Sequence, residues 1–595
     1  MITHLVLALA ATGAPTVNLS HLDWLRRDVA TPEGGTTATW QIYASPVKKG
    51  DRQGPYRFVG DEDEGVGCVD DVARAAIVYA REHARTGSLH AGRQARAGFD
   101  FLARMARPDG TYVNFIWGDG SLHVEGPTSR PGLNWWTARA LWALAEGARA
   151  FTASDPAYAR LLRDRAFVTV KALEADLTRR DGTWRYYGTH KAPGWFVGDA
   201  PDVTAVAVLG LATLHQDGED ATLKRLIGRY GEAIALWAPN AVEGGLLDGA
   251  HLPGLGPTTW HAYGAHMLHA LALGGHAIGS KRLVAAARDE ADRFTPKLLA
   301  LGGPIAGVLP GYAIYPQIAY GVEPMALGLL ALEDATGEAR YGRLGALFAS
   351  WLFGANPART PMYASATGRV WDGIDTKGVS ADSGAESTIE ALLTLQAFVG
   401  RPDLWPYLYA RETDGRTATF LEAEKAAGAR AVGAGEMSGD RAARMAPGAT
   451  LRLATNHLRG RYRLLAVARR ESFVAGERAT LAIGVGTQRF GLPLAWPPQG
   501  APWAAGEAVG PRSLVTLSPG VPLTVSYSKG ARQAAWLDGV MAVPELTYRR
   551  FMTDRGPITA VYNASDAARR LTTGRSAVSL PPGGALVIEG PAALE

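Results

Sequence analysis

Six carboxylates crowd the stretch Gly60–Arg74: Asp61, Glu62, Asp63, Glu64, Asp70 and Asp71. Asp70 and Asp71 open a segment of helical apolar spacing, where the positive end of the helix dipole favours acids. That accounts for one aspartate. Two adjacent acids repel each other, and Gly65 and Gly67 let the backbone come close to something. A second acidic stretch, Asp372–Glu390, places Glu386 at the opening of a helix whose apolar stripe is Ile389, Leu392, Leu393 and Leu395. Hydrolysis of an acetal such as a glycosidic bond needs one protonated acid for the leaving oxygen and one ionised base for water. The two clusters lie more than 300 residues apart, so the fold must bring them together. Burial and mutual repulsion would then have to separate their pKa values.

The elements that could do this are helices. Apolar spacing near 3.6 residues predicts twelve of them between about 69 and 412. Their ranges are 69–86, 91–107, 132–151, 157–178, 201–216 and 219–238, then 258–275, 279–300, 318–335, 338–354, 384–399 and 403–412. Connections within a pair are short, as at Gly87–His90, Asp217–Gly218, Gly337 and Gly400–Pro402. Connections between pairs are long, as at Pro108–Pro131 and Ala355–Ser383. Six such alternations predict six helical hairpins closed into an (α/α)6 toroid, with the long loops at one end.

Polar and aromatic residues open the odd-numbered helices: Asp70 and Asp71; Asn134, Trp135 and Trp136; Asp199 and Asp202; Trp260 and His261; Tyr320 and Glu323; Glu386. Singly, each reads as an N-cap acid or a core aromatic. Their shared end makes them, with Asp63 and Trp117 from the loops, a candidate substrate-binding set around the catalytic candidates Asp70, Asp71 and Glu386. Glu386, facing a carboxylate pair across the pole, is a general-acid candidate.

The chain has 595 residues, a formal net charge of +4, 47% hydrophobic residues and 20% charged ones. That length implies more than one core, and the balance is that of a globular chain. No basic run suggests nucleic acid, and no uninterrupted apolar run would span a bilayer. Residues 1–15 carry a short apolar stretch followed by small residues, as a signal peptide does, so a secreted or periplasmic location is expected. Cys68 is the only cysteine, which excludes an intramolecular disulfide and a multi-thiolate metal site.

Tyr341–Tyr363, with its core Trp351–Pro357 and then Met362 and Tyr363, resembles the "YLLGxNP…SY" stretch of family-9 glycoside hydrolases. The resemblance covers order and spacing over roughly residues 60–400. It implies an inverting glycosidase on an (α/α)6 barrel, with Asp71 as base, Asp70 positioning the water and Glu386 as the general acid; Asp63 is the reserve base. Here the aspartates are adjacent instead of three apart, and no His-His-Arg precedes Glu386. The resemblance therefore implies a distant relative acting on a poly- or oligosaccharide other than cellulose. On the same toroid, a polysaccharide lyase or epimerase using His261 or Tyr320 as base, and a non-catalytic glycan-binding protein, are the alternatives.

From about 413 the pattern changes to short alternating segments with Gly and Pro turns, the signature of antiparallel β structure. The expected division is a barrel over 16–412, a β-jelly roll over 413–545, and further strands over 546–595 in the same sandwich or a small cap. Phe420–Lys425, Gly460–Leu464 and Ala535–Val540 resemble the carbohydrate-binding modules of families 6 and 35. That resemblance implies a structural Ca²⁺ on Glu422, Glu424 and Asp538, whereas ordinary surface charges are the plainer reading. Trp496 and Trp503 are either a sugar platform or loop anchors. No cofactor is expected for catalysis.

Overall fold

The computed structural model describes residues 13–594 except 61–63, 188–189, 217, 219, 239–245, 255–259, 263, 304–315, 376, 435–436, 438–440, 456, 472–478, 495–506, 510–513 and 574–575. Asp63, Trp496 and Trp503 lie outside the described residues, as does most of the apolar leader. Among the described residues no helix is long and apolar enough to cross a membrane.

Among the described residues, twelve helices make the ring. They are α1 (Val69–Thr86), α2 (Leu89–Met105), α3 (Trp135–Phe151), α4 (Pro156–Arg180), α5 (Pro201–Gln216) and α6 (Ala221–Leu236). The rest are α7 (Met267–Ala277), α8 (Lys281–Arg293), α9 (Val322–Thr336), α10 (Ala339–Ala349), α11 (Ala385–Val399) and α12 (Trp405–Leu408). Each odd helix packs on the next odd helix, and α11 packs back on α1, so six inner helices close the toroid. Their sequences explain the placement. On α5, nearly every residue from Pro201 to His215 is buried, which suits a helix covered on all sides. The outer α2 keeps one stripe, Ala91, Ala95, Phe99 and Leu102, against the ring. Glycine sets the inner spacing at Gly210, where an added Cβ would meet the Trp142 backbone nitrogen on α3 at 2.9 Å.

Three expectations about helices are corrected. The helix expected over 258–275 starts only at Met267. The one expected over 279–300 breaks into Lys281–Arg293 and Thr295–Leu301, because Pro296 cannot continue the first hydrogen-bond ladder. The one expected over 403–412 is a single turn, after which Arg411–Arg416 leaves as a strand to pair with Leu546–Thr553.

Before the ring, Arg26–Ala30 pairs with Thr36–Trp40, and Tyr43–Pro46 with Tyr56–Val59. The second hairpin fixes the start of α11: the Ser383 and Ala385 N–H groups donate to the Ala44 and Ile42 carbonyls. Gly384 lies between them, and a Cβ there would meet the Ile42 carbonyl oxygen at 2.4 Å.

The C-terminal part is antiparallel β structure. One sheet runs Ala431–Gly433, Arg441–Met445, Ala535–Pro544, Gly460–Arg470, Glu507–Val509. A second runs Thr450–Leu453, Leu523–Tyr527, Ala479–Val485, Gln488–Leu494, with an apolar core between the two. The strands after 545 do not join these sheets. Leu546–Thr553, Gly556–Asn563 and Ala585–Glu589 form a sheet with Arg411–Arg416 that packs on Thr295–Leu301. There the buried Arg549 donates to the carbonyls of Leu299, Gly303 and Ala355 and to Glu412, tying sheet to ring.

Among the described residues, Glu422, Glu424 and Asp538 do not gather into a set with donor atoms within 4.8 Å of one another. Glu422 stands across paired strands from Gly539, the residue that follows Asp538.

Candidate active site

At one end of the ring the first two turns of α1 and α11 meet on the guanidinium of Arg74. Its Nη2 donates to Asp71 Oδ1 at 3.0 Å and to Glu386 Oε1 at 3.1 Å, and its Nη1 donates to Glu390. Its Nε donates to the Asp70 carbonyl at 2.9 Å, so Arg74 closes the first turn of α1 while reaching across to α11. The two acidic stretches that sequence places far apart are therefore joined at one pole by one side chain.

The three catalytic candidates are not equivalent. The Asp71 side chain is 4% exposed, that of Asp70 27% and that of Glu386 45%. Asp71 points inward to Arg74, and its backbone N–H donates to the Cys68 sulfur that caps α1. Burial, with the Glu386 and Asp70 charges, pushes the Asp71 carboxyl up to about 7 although Arg74 pulls the other way. Asp70 is also pushed up, chiefly by burial, against the opposing pull of Arg74 and Arg139. Asn114 accepts from the Asp70 N–H at 3.3 Å and anchors itself on the Thr128 carbonyl. The pair that faces solvent is Asp70 and Glu386.

A second arginine completes the rim. Arg139, one turn into α3, lies 4.0 Å from Asp70 and donates to the Tyr320 hydroxyl at 3.0 Å. It is 5.3 Å from the Trp135 ring centre, which keeps Trp135 at the pole. Among the described residues, nothing accepts a hydrogen bond from its Nε or Nη1. Tyr320 lies under Arg74 as well, and burial raises its phenol well above the ordinary value, which disfavours the phenolate that a general base would need. Asp202, at the start of α5, is buried and pushed up to about 7 by burial, with its own helix N–H groups opposing.

Other candidates have plain structural work. Asn134 caps α3, accepting from the Thr137 N–H and donating to the Arg130 carbonyl. Trp136 is buried and donates to the Tyr112 carbonyl, and Trp260 is buried against Phe294. Asp199 is held by Arg180 and Arg185 at 2.6 and 2.7 Å. Trp117 stacks on His123 at 4.2 Å, beside the Gly65 turn, where φ is 99° and a Cβ would meet the Ile116 carbonyl. His261 is half-buried. Glu323 is fully buried on α9, deeper than the rim.

Sequence reasoning missed Arg74, Arg139, Glu390, His266 and His269. The first three stand four residues after Asp70, Trp135 and Glu386, one helical turn below the rim on the same face. A charge inside an otherwise apolar inner helix was the available signal.

No protein-family model matches the chain, and no curated protein matches it. Among solved structures the chain is similar to cellobiose 2-epimerase from Bacillus thermoamylovorans, at 11% identity over 57% of this chain and 93% of that one, with a TM-score of 0.44. It is similar to endoglucanase CelQ from Clostridium thermocellum, solved with cellotriose, at 13% identity over 85% and 86%, with a TM-score of 0.38. It is also similar to the family-9 endoglucanase J30, at 16% identity over 65% and 82%, with a TM-score of 0.37. Likeness at this level assigns no residue its role, which rests on the geometry above.

Proposed function

We propose that the protein is a glycoside hydrolase whose reacting carboxyl groups are Asp70 and Glu386. The observation that carries this is a solvent-facing carboxyl pair at one pole, Asp70 on α1 beside Arg139 and Glu386 on α11 held by Arg74. The pair differs in environment, as acid–base hydrolysis requires. Asp70, its carboxyl pushed up, is the proton donor to the leaving oxygen. Glu386, which accepts a charge-assisted hydrogen bond from Arg74, activates water. In this reading Asp71, expected from sequence to be the base, serves to hold Arg74. Trp135 and Trp117, half-buried at the same end, offer flat faces to sugar rings.

The test is a glycan panel with reducing-end detection, followed by Asp70→Asn and Glu386→Gln on the best substrate. Loss of the acid should lower the rate by on the order of 10²–10⁴ on an unactivated glycoside and much less on one with a good leaving group. Asp70→Asn should show that split and Glu386→Gln should not. The reverse split would return the acid role to Glu386. Release of an unsaturated product absorbing ultraviolet light would replace hydrolysis by elimination, and full activity in both variants would remove the site.

A further inference from the structure

Below the rim, His266 and His269 sit three residues apart at the start of α7, on one helical face. Glu323 meets them from the first turn of α9. One ligand atom from each lies within 4.8 Å of the others, and His266 Nδ1 is 3.7 Å from Glu323 Oε2. All three residues are buried, at 0%, 7% and 0% exposure. Among the described residues, neither His266 nitrogen, nor His269 Nδ1, nor either Glu323 oxygen has a hydrogen-bond partner. Five buried polar atoms without partners are costly, and one from each residue faces a common space that a ligand would fill.

We propose that His266, His269 and Glu323 bind a divalent transition-metal ion, with Zn²⁺ the best fit. Two imidazoles and one carboxylate are a donor set that suits Zn²⁺ and leaves a position for water or a ligand oxygen. Two ligands of one tetrahedral ion lie about 3.3 Å apart, given metal–ligand distances of about 2.0–2.2 Å. The 3.7 Å His266–Glu323 separation approaches that value and is too long for a direct hydrogen bond. Burial keeps both imidazoles neutral, the form that ligates: it pushes His266 well down and His269 to about 3.

Close helix approach holds the donors in place. A Cβ on Gly328 of α9 would meet the His269 backbone nitrogen at 3.1 Å.

Metal content is read independently of activity, so this proposal and the glycosidase reading fail separately. The full-length protein would be dialysed against chelator, titrated with Zn²⁺ by calorimetry, and assayed by mass spectrometry for bound metal. One ion per chain, a Tm that rises on adding Zn²⁺, and a visible d–d spectrum after Co²⁺ loading are the expected results. His269→Ala and Glu323→Gln should each weaken binding by more than the roughly 10–100-fold that outer-shell changes cause. Because either variant could unfold, the wild-type titration decides by itself. No heat, no retained metal and no Tm shift with Zn²⁺, Mn²⁺, Co²⁺ or Ni²⁺ would overturn the site and leave a direct Glu–His pair.

Discussion

Between the two sandwich sheets, Leu464, Ala466, Leu481, Ile483, Val525 and Leu537 fill the core with apolar side chains. At the pole of the ring, Arg74, Arg139, Glu323 and Glu390 are buried as deeply as those leucines, yet they are charged or titratable. Burying ions is expensive, and a buried ion network is often no more stable than well-packed apolar residues of the same volume. The core between the two sheets is arranged as stability alone would arrange it. The pole is not, and groups with strongly displaced pKa values that converge on one place are characteristic of functional sites. The same contrast holds inside the ring. Outer helices follow the amphipathic pattern, whereas inner ones bury Arg74, Arg139, Glu323 and Glu390 in their first two turns, on the side where the long loops gather.

The largest expected effect tests whether one side chain holds that pole. Arg74→Ala leaves Asp71 and Glu390 buried without their guanidinium, which should cost about 3–5 kcal/mol and abolish activity. Urea unfolding with parallel rate measurements would show it, and a variant as stable as the parent would mean that the network is not bound through Arg74. The sandwich offers the counterpart. Leu464→Ala, at a fully buried site, should lose about 2–5 kcal/mol locally while the specific activity of the folded protein stays unchanged. If activity falls with Leu464→Ala, the two regions are coupled and the contrast between them breaks down.

Sequence pattern carried the ring a long way, because periodicity and loop length are local properties. The range 201–216 matched α5 to the residue. Misses fell where distant partners decide. Arg411–Arg416 could continue a helix by propensity but is captured by Leu546–Thr553, whose pairing no local signal announces. The N-terminal hairpins were unread for the same reason, although one of them positions Glu386 through Gly384. At the site, the rim acids were legible from their place at helix starts. Which of them face solvent was not: Asp70 and Asp71 are adjacent, and only the direction of α1 separates an exposed carboxyl from a buried one. His266 and His269 were overlooked because the helix was started at 258, which hid their place in its first turn.

A smaller effect separates buried acids from paired ones. Asp202 is buried and pushed up to about 7, so between its ordinary value near 3.8 and about 7 the folded state holds a proton that the unfolded chain has released. Stability from this group is therefore greatest at low pH and falls as pH rises through that window. One pKa unit is about 1.4 kcal/mol, so the full loss is up to about 4 kcal/mol. Asp202→Asn keeps the acceptor for the Val203 N–H and removes the titration. The variant should match the parent near pH 4 and exceed it above pH 7 in thermal unfolding. An unchanged difference across that range would mean that Asp202 is ionised throughout.

The smallest effect concerns Asn134, a pole residue by position. Its Oδ1 accepts from the Thr137 N–H at 3.2 Å and its Nδ2 donates to the Arg130 carbonyl at 3.1 Å, which commits both ends of the amide to the loop-to-helix junction. An N-cap replaced by alanine loses about 1 kcal/mol, because one N–H at the helix start is left without its acceptor. Asn134→Ala should therefore lower stability by that amount and leave kcat/KM within about twofold, while Asn134→Asp, which can still accept from Thr137, should recover most of the loss. The carbonyl contact to Arg130 is not restored by Asp, so the recovery is incomplete, and the remainder measures how much that loop depends on it. Each variant needs one thermal melt and one rate on the best substrate. A tenfold fall in kcat/KM with an unchanged Tm would instead put Asn134 on the substrate, and would move the working boundary of the site outward from Arg74 and Arg139 to the helix caps themselves.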